Sequence, residues 1–166
     1  DVSKNVTVLD EETINKSYDR YVPQLFEDQT GMVVRDWLGN GKTVNVDMRG
    51  FGERAESNTL VLIDGRRTNQ IDMSGVDWAQ INVDSIERIE IVRGPQSVLY
   101  GDNAAGGVIN IITKTGAGKK PSAGFKYQTG SYRYNSYDGF IEGGDKFLDY
   151  YGNISQASTI GYRTNN

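Results

Sequence analysis

The chain has 166 residues, enough for one ordinary domain or for one domain with a fragment of another, and its net charge of -4 disfavours a nucleic-acid partner. It contains no cysteine and no histidine, which excludes disulfides, Cys/His zinc sites and any catalysis built on thiol or imidazole. No run of about 18 apolar residues exists, so a membrane-spanning helix is excluded, but a membrane-spanning β-strand leaves only a weak alternation and is not. Apolar residues make up 37% of the chain, so the core is expected to be modest.

In chain order, "VTVL" (6–9) reads as a short strand. Asp10 then caps a turn or two of helix, with Glu11 and Glu12 favourable at its positive end. A second short helix is predicted over Pro23 to Asp28, with proline suited to its start and Gly31 to its stop. Three strand candidates follow: "MVVRDW" (32–37), "TVNVDMR" (43–49) and "TLVLID" (59–64), the first two joined at "GNG" (39–41) as a hairpin. "ERIEIV" (87–92) and "VINIITK" (108–114) add two more. "LVLI" and "VINII" are apolar at successive positions, which predicts strands covered on both faces. The expected fold of this part is α+β: a small mixed sheet of four to six strands with short helices.

The pattern changes after Gly116. Seven of the ten tyrosines lie in the last fifty residues, and helical periodicity disappears. In "AGFKYQTGSY" (123–132), Ala123, Phe125 and Tyr127 alternate with Gly124, Lys126 and Gln128. In "LDYYGNISQAS" (148–158), Leu148, Tyr150 and Ile154 alternate with Asp149, Tyr151 and Asn153. "GGDKF" (143–147) reads as a tight turn between long strands. Half-apolar strands with tyrosines near their ends suit an outer-membrane β-barrel, and a soluble antiparallel sheet is the plainer alternative. The expected organisation is residues 1–115, a linker at 116–121 ("GAGKKP"), and opening antiparallel strands of an incomplete transmembrane barrel over 122–166. Three strands leave edges that lipid does not tolerate, so further strands must come from the same or another chain.

The pieces "VTVLDEETINKS", "DMRGFG" (47–52), "TLVLIDGRRTN" (59–69) and "VDSIERIEIVRGPQSVLYGDNAAGGVINIITK" (83–114), in this order and spacing, resemble the plug domain of TonB-dependent outer-membrane receptors. The tail resembles the first strands of the same family's barrel. The resemblance implies a barrel of about 22 strands filled by the plug. It also implies import of a scarce ligand such as a ferric siderophore, haem, cobalamin or a glycan, energised by the TonB complex through a segment near the N-terminus. "NVTVL" aligns with the plug's first strand, so the coupling segment is expected upstream of Asp1. Outer-membrane lipid and the remaining barrel strands are the other expected partners, and no cofactor is expected. A detached plug acting as a soluble ligand- or partner-binding module is the alternative. An enzyme is disfavoured, because no carboxylate pair or serine–lysine pair stands out in a glycine-framed site.

Two residue sets follow. In the family, arginines at the "RG" and "RGP" positions, here Arg49 and Arg93, pair with acidic groups on the barrel wall. Glu87 and Glu90 are close in sequence, and an internal salt bridge with them is the plainer reading. Two loops, "LGNGKT" (38–43) and "TNQIDMSGVDW" (68–78), are expected at the extracellular apex, with Trp37, Asn40, Gln70, Asp72, Met73 and Trp78 as candidate ligand contacts. An ordinary solvated loop is the alternative for each. "LGNGKT" imitates a phosphate loop, but Asp36 stands where that pattern needs glycine. Asp64, Asp72, Asp77 and Asp84 lack the spacing of a calcium loop.

Overall fold

The computed structural model describes residues 6–17, 19, 21–37, 41, 44–69, 75–101 and 103–160. The chain divides into two compact units, Asp1–Thr113 and Lys114–Asn166.

In the first unit, β1 (Val6–Asp10) leads directly into α1 (Glu11–Ser17). Asp10 Oδ1 accepts the Thr13 N–H at 2.9 Å, an N-terminal cap of the kind the sequence predicts. Hydrogen bonds from the Thr13 side chain and from its N–H lower the carboxyl's pKa below its ordinary value, because hydrogen bonding favours the charged form. The second predicted helix is a 3₁₀ segment, Val22–Phe26, shorter than the expected 23–28. Next come β2 (Met32–Asp36) and β3 (Val44–Met48), which pair with each other as a separate two-stranded ribbon.

A second 3₁₀ segment, Gly52–Ser57, precedes β4 (Thr59–Ile63) and the two-residue β5 (Arg66–Arg67). Asp64 and Gly65 turn between them with φ of 48° and 78°. Two successive positive φ values are the signature of the tight turn that suits a twisted hairpin. The Asp64 carboxylate also accepts the Thr113 N–H at 2.9 Å and the Thr113 hydroxyl at 2.7 Å. Strand β6 (Ile86–Arg93), the single-turn helix α2 (Ser97–Tyr100) and β7 (Gly107–Thr113) complete the unit.

The main sheet has the order β1-β6-β7-β4-β5. Only β4 and β7 run parallel; the other pairs are antiparallel, so the sheet is mixed. Alternate residues of β4 and β7 enter different apolar clusters. Val61, Ile109 and Ile111 join Ile89, Ile91, Phe26 and Trp78 on one side. Leu60, Leu62 and Val108 join Ala104 on the other. This is the physical basis of the continuous apolar runs: both faces of these strands are covered.

Glycines admit the last buried strand. A Cβ on Gly106 would lie 3.0 Å from the carbonyl oxygens of both Asn58 and Met48. One on Gly107 would lie 2.5 Å from the Val92 carbonyl oxygen. Backbone passes against backbone there, and only glycine leaves room.

The second unit is a meander of β8 (Ser122–Gly130), β9 (Tyr134–Gly144) and β10 (Asp149–Ser158), with β9 central. The register sorts side chains by face. Phe125, Gly139 and Ile154 lie abreast, flanked by Ala123, Ile141 and Gly152 on one side and by Tyr127, Tyr137 and Gln156 on the other. The opposite face carries Lys126, Asp138 and Ser155 abreast, and Asn153 donates to Asp138 at 2.6 Å. The apolar face is exposed and the polar face holds the buried Asp138 and Ser136, an inversion of the usual soluble arrangement. Asp145 closes the β9–β10 turn by accepting the N–H groups of Phe147 and Leu148 at 2.8 and 3.0 Å.

Candidate functional site

The two arginine loops of the first unit lie side by side. Arg93 ends β6 and Arg49 follows β3, and a Cβ on Gly94 would sit 3.9 Å from Arg49 Nη1. Arg49 has a φ of 74°, in the left-handed region that side chains seldom adopt. Asp47 holds it there. Its side chain is fully buried and accepts the N–H groups of Phe51 and Gly52 at 2.8 Å each. Arg35 Nη1 approaches the same carboxylate at 3.3 Å. The acidic residue of "DMRGFG" is thus the anchor of the loop that presents Arg49. An aspartate ahead of a glycine-rich loop is a fair sequence signal for such backbone N–H capture.

Arg93 Nη1 donates to Thr7 Oγ1 at 2.6 Å, while its Nε is buried with no hydrogen-bond partner among the described residues. Neither Arg93 nor Arg49 reaches Glu87 or Glu90. Those carboxylates take Arg88 instead, Glu87 at 2.7 Å and Glu90 at 3.0 Å. The hydrogen bond that Arg88 donates to Glu90, with the charges of both glutamates, raises the Arg88 pKa above its ordinary value. The reason is local geometry. Along β6, Glu90 lies two residues from Arg88 on the same face but three from Arg93 on the opposite face, and Glu87 is six residues, about 20 Å, from Arg93.

Of the six candidate ligand contacts, Asn40, Gln70, Asp72 and Met73 fall outside the described residues. Trp37 is 66% exposed. Trp78 corrects the expectation: it is 2% exposed, its Nε1 donates to the Val44 carbonyl at 3.0 Å, and its ring meets Phe26 edge-on at 5.9 Å between centroids. Burial wins because the short 3₁₀ turn Trp78–Gln80 lays the indole on the core and the β3 carbonyl satisfies its one polar atom. A small cavity beside it is lined by Val46, Glu56, Thr59, Asn69 and Gly75.

Residues 1–108 match the family described as TonB-dependent Receptor Plug Domain. The chain belongs to that family. As a plug-domain chain it is 36% identical over 117 residues to an iron-regulated outer membrane virulence protein of Vibrio cholerae serotype O1, a match covering 66% of this chain and 17% of the relative. Its identity to the vitamin B12 transporter BtuB of the same organism is also 36%, over 110 residues, covering 66% of this chain and 18% of that protein. Among solved structures it is similar to the siderophore receptor PirA from Acinetobacter baumannii (TM-score 0.68, 26% identity, 93% of this chain and 25% of that one). It is similar as well to the ferric enterobactin receptor PfeA from Pseudomonas aeruginosa, in a mutant bound to enterobactin (TM-score 0.67, 26% identity, 94% of this chain and 25% of that one). The plug-domain chain therefore spans under a fifth of these curated relatives and about a quarter of the solved receptors. The structural likeness covers more than nine-tenths of the chain, so it takes in the three-stranded unit as well as the plug.

Proposed function

We propose that the chain is the plug and the opening wall strands of an outer-membrane importer. It would be energised by TonB through a segment upstream of Asp1 and would take up a scarce extracellular nutrient such as a ferric siderophore, haem, cobalamin or a glycan. The assignment is plug at 1–115, linker at 116–121 and wall strands at 122–166. The observation that carries this reading is the pairing of a matched plug family over residues 1–108 with a following meander that turns its apolar face outward. An amphipathic open sheet with an exposed Phe125, Ile141 and Ile154 suits lipid and gives no support to a detached soluble module. Binding and transport, not chemistry, are the proposed role. Growth of a deletion strain on single iron, cobalamin or glycan sources tests it: a defect on one source that complementation restores supports import and names the ligand, and normal growth with unchanged uptake of all of them overturns it.

Within this reading, Arg49 and Arg93 form the latch to acidic groups of the barrel wall, and Glu87 and Glu90 hold Arg88 beside it. The support is the pairing just described: Arg88 occupies both glutamates, and the buried Arg93 Nε lacks an acceptor among the described residues. A desolvated guanidinium favours a planar two-oxygen partner. Arg93→Ala in the full-length receptor is expected to change plug retention or uptake, and no effect on either refutes the latch. Trp37, with Asn40, Gln70, Asp72 and Met73, is proposed as ligand-facing. Trp37→Ala is expected to weaken ligand binding, and unaltered affinity removes it from the set.

A further inference from the structure

The cavity beside Trp78 has walls of two kinds. Valines and the Trp78 ring make most of them, but Glu56, Thr59 and Asn69 also line it. Thr59 opens β4 and is 2% exposed, and its hydroxyl has no hydrogen-bond partner among the described residues. The polar groups around it are already committed. Asn69 Oδ1 accepts the Val61 N–H at 2.7 Å, and Asn69 Nδ2 donates to the carbonyls of Thr59 at 2.9 Å and Glu56 at 3.3 Å. Both amide protons of Asn69 are thereby used. The Trp78 indole N–H goes to the Val44 carbonyl. A buried hydroxyl without a partner is costly enough that each instance calls for an explanation.

Glu56 supplies the complementary group. Gly75 leaves room for it: a Cβ there would lie 2.9 Å from Glu56 Cδ and 3.1 and 3.2 Å from its two carboxylate oxygens. Gly75 also has a φ of 84°, a conformation that favours glycine. Since Glu56, Gly75 and Thr59 line the same cavity, it holds a carboxylate that can only accept and a hydroxyl that can do either.

We infer that this cavity is a hydration site, in which an ordered water donates to the Glu56 carboxylate and pairs with the Thr59 hydroxyl. The chemistry of the lining selects water. An apolar occupant would leave the hydroxyl unpaired, and an anion would meet the carboxylate. A calcium or magnesium ion takes about six oxygen donors, and no three acidic, His or Cys side chains come together among the described residues. Water is small, both donates and accepts, and needs only two such partners to be held inside a protein. The site does not depend on the importer reading. Asn69 and Gly75, which bound the segment 70–74, both line it, so the two ends of that segment meet the fold at a polar, hydrated contact.

A crystal structure of the full-length protein at a resolution that shows ordered solvent is the direct test. The expected result is a solvent peak at about 2.5–3.0 Å from Thr59 Oγ1 and from a Glu56 carboxylate oxygen. A cavity with no such peak, or one filled by a side chain, overturns the inference. The second test is energetic. Thr59→Val keeps the shape of the side chain and removes its hydroxyl. If the hydroxyl binds a water, the variant should lower the folded-to-unfolded ratio about three- to tenfold, the usual net contribution of one hydrogen bond. If the hydroxyl is unpaired, the same variant should raise the ratio, because a buried polar group without a partner has been removed. Denaturant unfolding of the full-length protein, with hydrogen exchange read at the β4 amides, separates the two. Thr59→Ser keeps the hydroxyl and should keep the solvent peak, and its loss there counts against the assignment. An unchanged or raised ratio in Thr59→Val overturns the water bridge even where a solvent peak is present.

Discussion

Replacing Asp47 tests how the arginine loop is built. The side chain is 0% exposed and serves as acceptor for two backbone N–H groups, Phe51 and Gly52, each at 2.8 Å. Hydrogen bonds to a charged acceptor contribute about 1.5–3 kcal/mol each, and a buried donor left without a partner costs a similar amount. The Arg35 contact, at 3.3 Å from a side chain 36% exposed, adds about 1 kcal/mol at most once solvent screening is allowed for. Asp47→Ala strands both donors and should lower stability by about 3–6 kcal/mol, two such bonds at about 1.5–3 kcal/mol each. Asp47→Asn keeps the shape but offers one acceptor oxygen, so one donor is lost and the cost should be about 1.5–3 kcal/mol. Denaturant unfolding gives the two totals, and hydrogen exchange localises them: the amides of residues 49–57 should exchange faster, in the order Ala, then Asn, then wild type. If Asp47→Ala unfolds within 1 kcal/mol of wild type and leaves exchange at Phe51 and Gly52 unchanged, then the carboxylate does not hold this loop, and the account of how Arg49 is presented is wrong.

Three further outcomes are expected. Trp78→Ala should cost about 3–5 kcal/mol, the range for deleting a buried aromatic, with no direct loss of a ligand contact, as read by unfolding and by ligand affinity in the folded fraction. Gly107→Ala should cost about 1–3 kcal/mol by overpacking, because the added methyl meets the Val92 carbonyl and the Met48 side chain, and a shift in the unfolding midpoint measures it. The lowered pKa of Asp10 gives a pH dependence with a definite sign. Its cap stabilises α1 fully above the unfolded-state carboxyl pKa and loses that stabilisation as pH falls through the lower folded-state value. Asp10→Asn should therefore remove the acid-side loss of α1 amide protection, measured against the intrinsic exchange rate at each pH, and an unchanged acid limb would count against the cap.

How far the amino-acid order alone reaches depends on the range of the interaction. Alternation along β8 and β10, unbroken apolar runs in β4 and β7, and the Asp10 cap are set by neighbours within a few residues, and all are readable from one line of text. The second predicted helix is also local, and it shrinks to a 3₁₀ turn because Val22, Leu25 and Phe26 are pulled into the core as a short packed segment. Partner choice is a different matter. Glu87 and Glu90 stand close to Arg93 in sequence, yet both take Arg88. Trp78 reads as a loop aromatic beside polar neighbours, yet its partner is a carbonyl 34 positions earlier. Asp47 carries a local signal, an aspartate ahead of a glycine-rich loop, but which N–H groups it takes is set only once Phe51 and Gly52 turn back toward it. Periodicity and turn chemistry are written into adjacent residues and so survive in the sequence. Which charge meets which, and which ring is buried, depends on surfaces brought together by chain folding, and only the tertiary structure holds that information.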